Sequence, residues 1–206
     1  MLRVGITGGI ASGKSAVASM LVNRGFPVLD ADSLGHDLMR PGEAAYHEIV
    51  REFGEAILAP DAIVDRRVLG AIVFREQRKL AALNRILHPK ILDAVQRWFA
   101  SLEHESGPDM AFVEAALLVE AGYQPILDRL VVCWTTPEKQ LERLMARGLS
   151  KEQAQQRLAA QMPTDEKRRA ADHTIDCSGT LAETERQVDE LLIALRRATV
   201  PGRNIS

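Results

Sequence analysis

Residues Gly8 to Ser15 read Gly-Gly-Ile-Ala-Ser-Gly-Lys-Ser, directly behind the apolar run Leu2-Arg3-Val4-Gly5-Ile6. The pattern G-x-x-x-x-G-K-[S/T], set between a strand and a helix, commits a chain to an α/β fold in which a buried strand opens into a phosphate-cradling turn. Each part answers a demand of a nucleoside triphosphate. Gly8 and Gly13 reach positive φ at little cost, which lets several loop N–H groups gather around phosphate oxygens. The helix opening near Gly13 aims the positive end of its dipole at the same anion. Lys14 can reach the β- and γ-phosphates as a point charge, and the Ser15 hydroxyl can join a magnesium shell. A glycine-rich turn with a chance lysine would not explain the flanking strand and helix.

Apolar runs recur between stretches of helical period, the pattern of a parallel sheet with crossover helices. The strands are expected at Leu2–Ile6, Pro27–Leu29, Met110–Glu114, Leu130–Trp134 and Thr174–Ile175. A helix is expected from about Gly13 to Asn23. Between Leu29 and Met110 lie about eighty residues, far more than the dozen a crossover needs. Asp65–Phe74, Glu76–Leu87 and Pro89–Leu102 each read as helices there, the last two broken at His88-Pro89 because proline disfavours helix before it. This is expected to be a helical insertion beside the nucleotide core. The tail Arg196–Ser206 is expected to fray.

Composition narrows the class. Of the 206 residues, 46% are hydrophobic, with no run long enough to span a bilayer, so no membrane partner is expected. A net charge of −2 argues against a general nucleic-acid binder. Met1-Leu2-Arg3-Val4 already reads as strand, so no leader is expected. The two cysteines, Cys133 and Cys177, sit in apolar runs and read as buried, inert thiols of a reducing cytoplasm.

The second strand ends in Asp30-Ala31-Asp32, at the carboxyl end of the strand, where open α/β sheets bind ligands. A carboxylate there either holds magnesium through water or takes the proton of an attacking hydroxyl. An extended chain would put Asp30 and Asp32 on the same side. The competing role for Asp32 is to cap the next helix. Arg143 and Arg147 stand four apart on an expected helix Glu138–Arg147 and so point the same way, with Arg157 following on another helical stretch. Arginines on a mobile segment can neutralise a transferring phosphoryl group, although Glu138, Glu142, Glu152 and Glu166 nearby fit a solvated, salt-bridged face equally well. Arg66, Arg67, Arg75, Arg78, Lys79 and Arg85 make the insertion the most basic stretch. Glu114 and Glu120 flank the end of the third strand, where magnesium-associated carboxylates often lie. Asp32-Ser33-Leu34-Gly35 mimics a GTPase D-x-x-G but comes too soon after the loop, and no N-K-x-D motif exists.

Together these residues resemble the dephospho-coenzyme A kinase family. The likeness runs through Gly5-Ile6-Thr7-Gly8-Gly9-Ile10, Ser12-Gly13-Lys14-Ser15, Asp30-Ala31-Asp32, Asp65-Arg66 with Leu69 and Phe74, and Ile86-Leu87-His88-Pro89. It continues through Leu117-Leu118 with Glu120, Gln140 with Arg143 and Arg147, Arg157 and Gln161, Ala171-Asp172 and Ile175-Asp176.

The resemblance implies a P-loop kinase of three α/β/α layers on a five-stranded parallel sheet, one domain over residues 1–206. Its core would be about 1–35 and 105–200, its helical acceptor-binding insertion about 36–104 and its lid about 143–165. It implies ATP and Mg²⁺, and transfer to the ribose 3′-hydroxyl of dephospho-CoA as the last step of coenzyme A synthesis, in a cytoplasmic monomer. Asp32, Lys14, Arg143 and Arg147 would be catalytic. Gly8, Gly9, Ile10, Ala11, Ser12, Gly13, Lys14, Ser15, Arg147 and Arg157 would hold ATP, with Ser15 on the metal. Thr7, Asp32, Arg66, His88 and Pro89 would meet the acceptor.

The same loop could serve a kinase for another small metabolite, such as a nucleoside monophosphate, or a slow nucleotide-gated switch. The chain departs from the family at Ala11, usually glycine, at Ala116 and Val119, usually proline and phenylalanine, and at Cys177, commonly asparagine. Ala11 implies either an ordinary backbone at that position or a shifted loop.

Overall fold

The computed structural model describes residues 1–73, 75–104 and 107–199; Phe74 and the end of the tail beyond Thr199 lie outside the described residues. Two compact units emerge, one from Met1–Leu29 with the chain from Leu102 onward, the other from Asp30–Ser101.

The first unit holds the sheet. β1 (Leu2–Thr7), β2 (Val28–Asp30), β3 (Met110–Glu114), β4 (Arg129–Trp134) and β5 (His173–Asp176) lie in the order β2-β3-β1-β4-β5. β1 runs parallel to both β3 and β4, and β4 parallel to β5. Val4–Thr7 of β1 and all of β3 are buried, as expected for parallel strands whose faces are covered by crossover segments, which is why both read as nearly unbroken apolar runs. The β1 register pairs Ile6 with Glu114 and Thr7 with Val132, so β3 ends where the glycine loop begins and β4 runs two residues further, to Trp134.

One face is covered by α1 (Lys14–Asn23) and α9 (Leu181–Thr199), whose Val17, Leu21, Val188 and Leu195 are buried with Val4, Ile6 and Phe112. The expected fraying from Arg196 is not seen up to Thr199, because α9 continues through it. Between β4 and β5 come α6 (Pro137–Ala146), α7 (Lys151–Ala159) and α8 (Thr164–Arg169). Ser150 opens α7 with a capping box, its hydroxyl accepting from Gln153 N–H and the Gln153 side chain accepting in return.

The second unit is helical: α2 (Ala31–Asp37), α3 (Tyr46–Phe53), α4 (Arg66–Val73) and α5 (Gln77–Leu102). The Tyr46 hydroxyl donates to the Ala62 carbonyl at 2.7 Å, and Lys90 reaches Glu48 at 2.8 Å. The expected break at His88-Pro89 is absent. α5 is one helix of 26 residues with Pro89 inside it. An interior proline removes a hydrogen bond and crowds the preceding turn, at about 3 kcal/mol. Ile86, Leu87, Ile91, Val95 and Phe99 are buried on both sides of it, and that burial outweighs the local preference. Among the described residues no helix is long and apolar enough to cross a membrane.

Candidate active site

β1 delivers the chain into a loop whose shape leaves little choice of residue. A side chain at Gly8 would strike the Cys133 carbonyl and fall 2.6 Å from Ser12 Oγ. Gly13 has φ 109°, and a Cβ there would stand 2.6 Å from Cys177 Cβ. Ala11 does not take an ordinary backbone: it adopts the left-handed conformation itself, φ 59°. For an L-residue that conformation costs about 1–2 kcal/mol.

The loop has the features of an anion cradle. No side chain caps α1, so its first turn opens toward the loop unshielded. The buried Ser12 Oγ has no hydrogen-bond partner among the described residues, an uncommon state for a buried hydroxyl. Lys14 Nζ lies 2.5 Å from Glu114 Oε1, and Ser15 Oγ donates to the same oxygen at 2.9 Å. The Lys14 and Glu114 side chains are only 12% and 8% exposed. The β1–β3 register thus brings one carboxylate to the two residues expected to hold phosphate and metal. That set fits Mg²⁺, which takes one or two carboxylate or hydroxyl contacts and completes its shell with water and phosphate oxygens.

Arg143 reaches the loop from α6, donating to the Ala11 carbonyl at 3.0 Å and the Cys177 carbonyl at 2.7 Å. Arg147 does not share that placement. The helix ends one residue earlier than expected, and Arg147 is its exposed C-cap. Arg157 is exposed on α7. Gln140 Nε2 donates to the Ile10 carbonyl at 2.7 Å, and the Ile10 N–H donates to Gln161 Oε1 at 2.8 Å. Thr7 is buried, its hydroxyl donating to the Ala116 carbonyl at 3.2 Å. Glu120 is not beside the loop lysine; it pairs at 2.8 Å with Lys167, whose side chain is fully buried. Lys167 had no legible signal, since Glu166-Lys167-Arg168-Arg169 looks like any solvated charge run. Cys133 and Cys177 are free and buried, as expected. Their shared hydrogen bond raises the Cys133 thiol pKa and lowers that of Cys177.

In the helical unit, Asp30 and Asp32 do not share a side, because helix begins at Ala31. Asp30 is the N-cap: Oδ1 accepts from Ser33 N–H at 3.0 Å and Oδ2 from the Ser33 hydroxyl at 2.6 Å. That leaves Asp32 exposed in the first turn of α2. His36, one turn on, is half-buried, and burial followed by the charge of Arg66 lowers its pKa. Arg66 is exposed at the start of α4, where Asp65 accepts from Arg67 N–H at 2.8 Å. His88 is half-buried with a pKa lowered by burial, and Pro89 beside it is exposed.

Comparison with known proteins agrees with this layout. The family model described as dephospho-CoA kinase matches residues 2–183. A dephospho-CoA kinase of Geobacter sulfurreducens is 44% identical over 189 residues, covering 91% of this chain and 95% of that one. The crystal structure of TT1252 from Thermus thermophilus superposes with a TM-score of 0.79 at 35% identity, over 94% of this chain and 97% of that one. A dephospho-CoA kinase from Campylobacter jejuni gives 0.70 at 27%, over 96% and 98%. A chain matched over nearly its whole length by that model and by these relatives belongs to the dephospho-CoA kinase family.

Proposed function

We propose that this kinase moves the γ-phosphoryl group of ATP to the ribose 3′-hydroxyl of dephospho-CoA, completing coenzyme A. The convergence of Lys14 and Ser15 on Glu114 beside the glycine loop carries the reading for the nucleotide side. Lys14 and the loop from Gly8 to Ser15 hold the phosphates. Mg²⁺, when bound, neutralises charge on the phosphate oxygens; the Ser15 hydroxyl would hold it, with the Glu114 carboxylate behind.

Asp32 takes the proton of the attacking hydroxyl. Support comes from Asp30, which already fills the capping role and leaves Asp32 exposed in the adjoining turn. Arg143 supplies positive charge from α6 while fixing the loop carbonyl at Ala11. Arg147 and Arg157, both exposed, are the residues a closing lid would carry onto the phosphates. Arg66, His88 and Pro89 are assigned to the acceptor; Thr7, buried with its hydroxyl held by the Ala116 carbonyl, is not. We take the enzyme to act as a cytoplasmic monomer.

A coupled ADP-release assay offering dephospho-CoA, AMP, GMP, shikimate and gluconate tests the proposal. Turnover confined to dephospho-CoA is expected. No turnover above background with it, or faster turnover with another acceptor, would overturn the assignment.

A further inference from the structure

The left-handed backbone of Ala11 asks what holds it, because such a conformation persists only where its surroundings over-determine it. The Ile10 residue before it is gripped at both ends by side-chain amides. Its carbonyl accepts from Gln140 Nε2 at 2.7 Å, and its N–H donates to Gln161 Oε1 at 2.8 Å. Arg143 fixes the next carbonyl, that of Ala11, at 3.0 Å. Ile10 and Ala11 also pack with Leu141 and Leu144 of α6 and Ala154 and Leu158 of α7.

Gln161 is itself anchored. It sits in the turn after α7, its N–H donating to the Leu158 carbonyl at 3.3 Å. The following Met162 N–H donates to Glu120 Oε1 at 3.3 Å, and Glu120 is paired at 2.8 Å with the buried Lys167. Lys167 in turn donates at 2.6 Å to the Ala116 carbonyl that also receives the Thr7 hydroxyl. A chain of contacts therefore runs from Ala116, just past β3, through Lys167 and Glu120 to the turn that presents Gln161.

We propose that Gln161 is a positioning residue for the phosphate loop, holding the Ile10–Ala11 segment in its strained shape and tying it to the α6–α7 segment. The inference rests on the reading that this loop carries the ATP phosphates. Its amide oxygen is the group required: a neutral acceptor satisfies the Ile10 N–H without bringing negative charge toward a polyphosphate. The hold matters here because alanine, unlike glycine, does not rest in this backbone unaided.

The test is a double-mutant cycle with Ala11→Gly, read as KM for ATP, KM for dephospho-CoA and kcat. In the native background Gln161→Ala is expected to raise KM for ATP about tenfold, one hydrogen bond's worth, with KM for dephospho-CoA unmoved. In the Ala11→Gly background the same change is expected to cost less than about threefold, since glycine needs no holding. Equal losses in both backgrounds, or a loss shared evenly between the two substrates, would overturn the proposal. Should Gln161→Ala fail to give a cooperative thermal melt, Gln161→Leu, which fills much of the space without an acceptor, is read in its place. Lys14→Ala tests the underlying reading separately. If it leaves ATP binding intact, the loop is not the phosphate site; if it abolishes binding while the cycle shows no coupling, only the positioning role falls.

Discussion

Lys14 and Glu114 form an ion pair of 2.5 Å at the mouth of the glycine loop, and Ser15 shares the same carboxylate oxygen at 2.9 Å. Two largely buried opposite charges stabilise each other only while both are present. Lys14→Met strands the carboxylate and is expected to cost about 3 kcal/mol of stability as well as ATP binding. Adding Glu114→Gln is expected to recover most of the stability and none of the turnover. Urea unfolding beside an ADP-release assay separates the two effects; a double variant no more stable than Lys14→Met would refute the pairing.

Asp30 and Asp32 divide the work of the first α2 turn. Asp32→Asn is expected to lower kcat by orders of magnitude while ATP affinity stays nearly unchanged. Asp30→Ala removes the cap and is expected to cost about 1 kcal/mol of stability. Equal loss of turnover and ATP affinity in Asp32→Asn would point to a metal or structural role instead.

Pro89 lies within a continuous α5. Pro89→Ala restores a donor and relieves the clash with the preceding turn, and is expected to stabilise the protein by about 2 kcal/mol after the entropy regained by the unfolded chain. If Pro89 shapes the acceptor site, KM for dephospho-CoA rises in the same variant. Denaturant midpoints and initial rates check both.

Acid should weaken the helical unit. His36 and His88 both have folded pKa values below the ordinary 6.5, in each case chiefly through burial. Between the folded and unfolded values the unfolded chain binds more protons, so their contribution is complete above about pH 6.5 and is lost as pH falls through the folded values. Unfolding midpoints at pH 7.5 and 5.5 are expected to differ less in His36→Asn/His88→Gln than in the parent. An unchanged difference would exclude these residues as the cause.

The sequence carried the glycine loop, all five strands and the order of the loop's chemistry, because a buried parallel strand and a G-x-x-x-x-G-K-S turn are written in local residue types. What it hid was decided by long-range packing. Proline at 89 argued for a break that the buried Ile86, Leu87, Ile91 and Val95 overruled. The Asp30-Ala31-Asp32 triplet looked extended until Asp30's cap started a helix inside it. Arg143 and Arg147 matched a helical face, yet the helix ended between their roles. Lys167 and Gln161 meet partners more than forty residues away, at Ala116 and Ile10, a pairing that no local pattern announces.

The transfer itself is read most directly from the product. Dephospho-CoA incubated with ATP, Mg²⁺ and the enzyme can be recovered and examined by phosphorus–proton correlation NMR. A new phosphomonoester coupled to the ribose 3′ proton, formed in step with ADP and absent from Asp32→Asn, is the expected result. Phosphate at another position, or ADP formed with no new phosphomonoester, would contradict it.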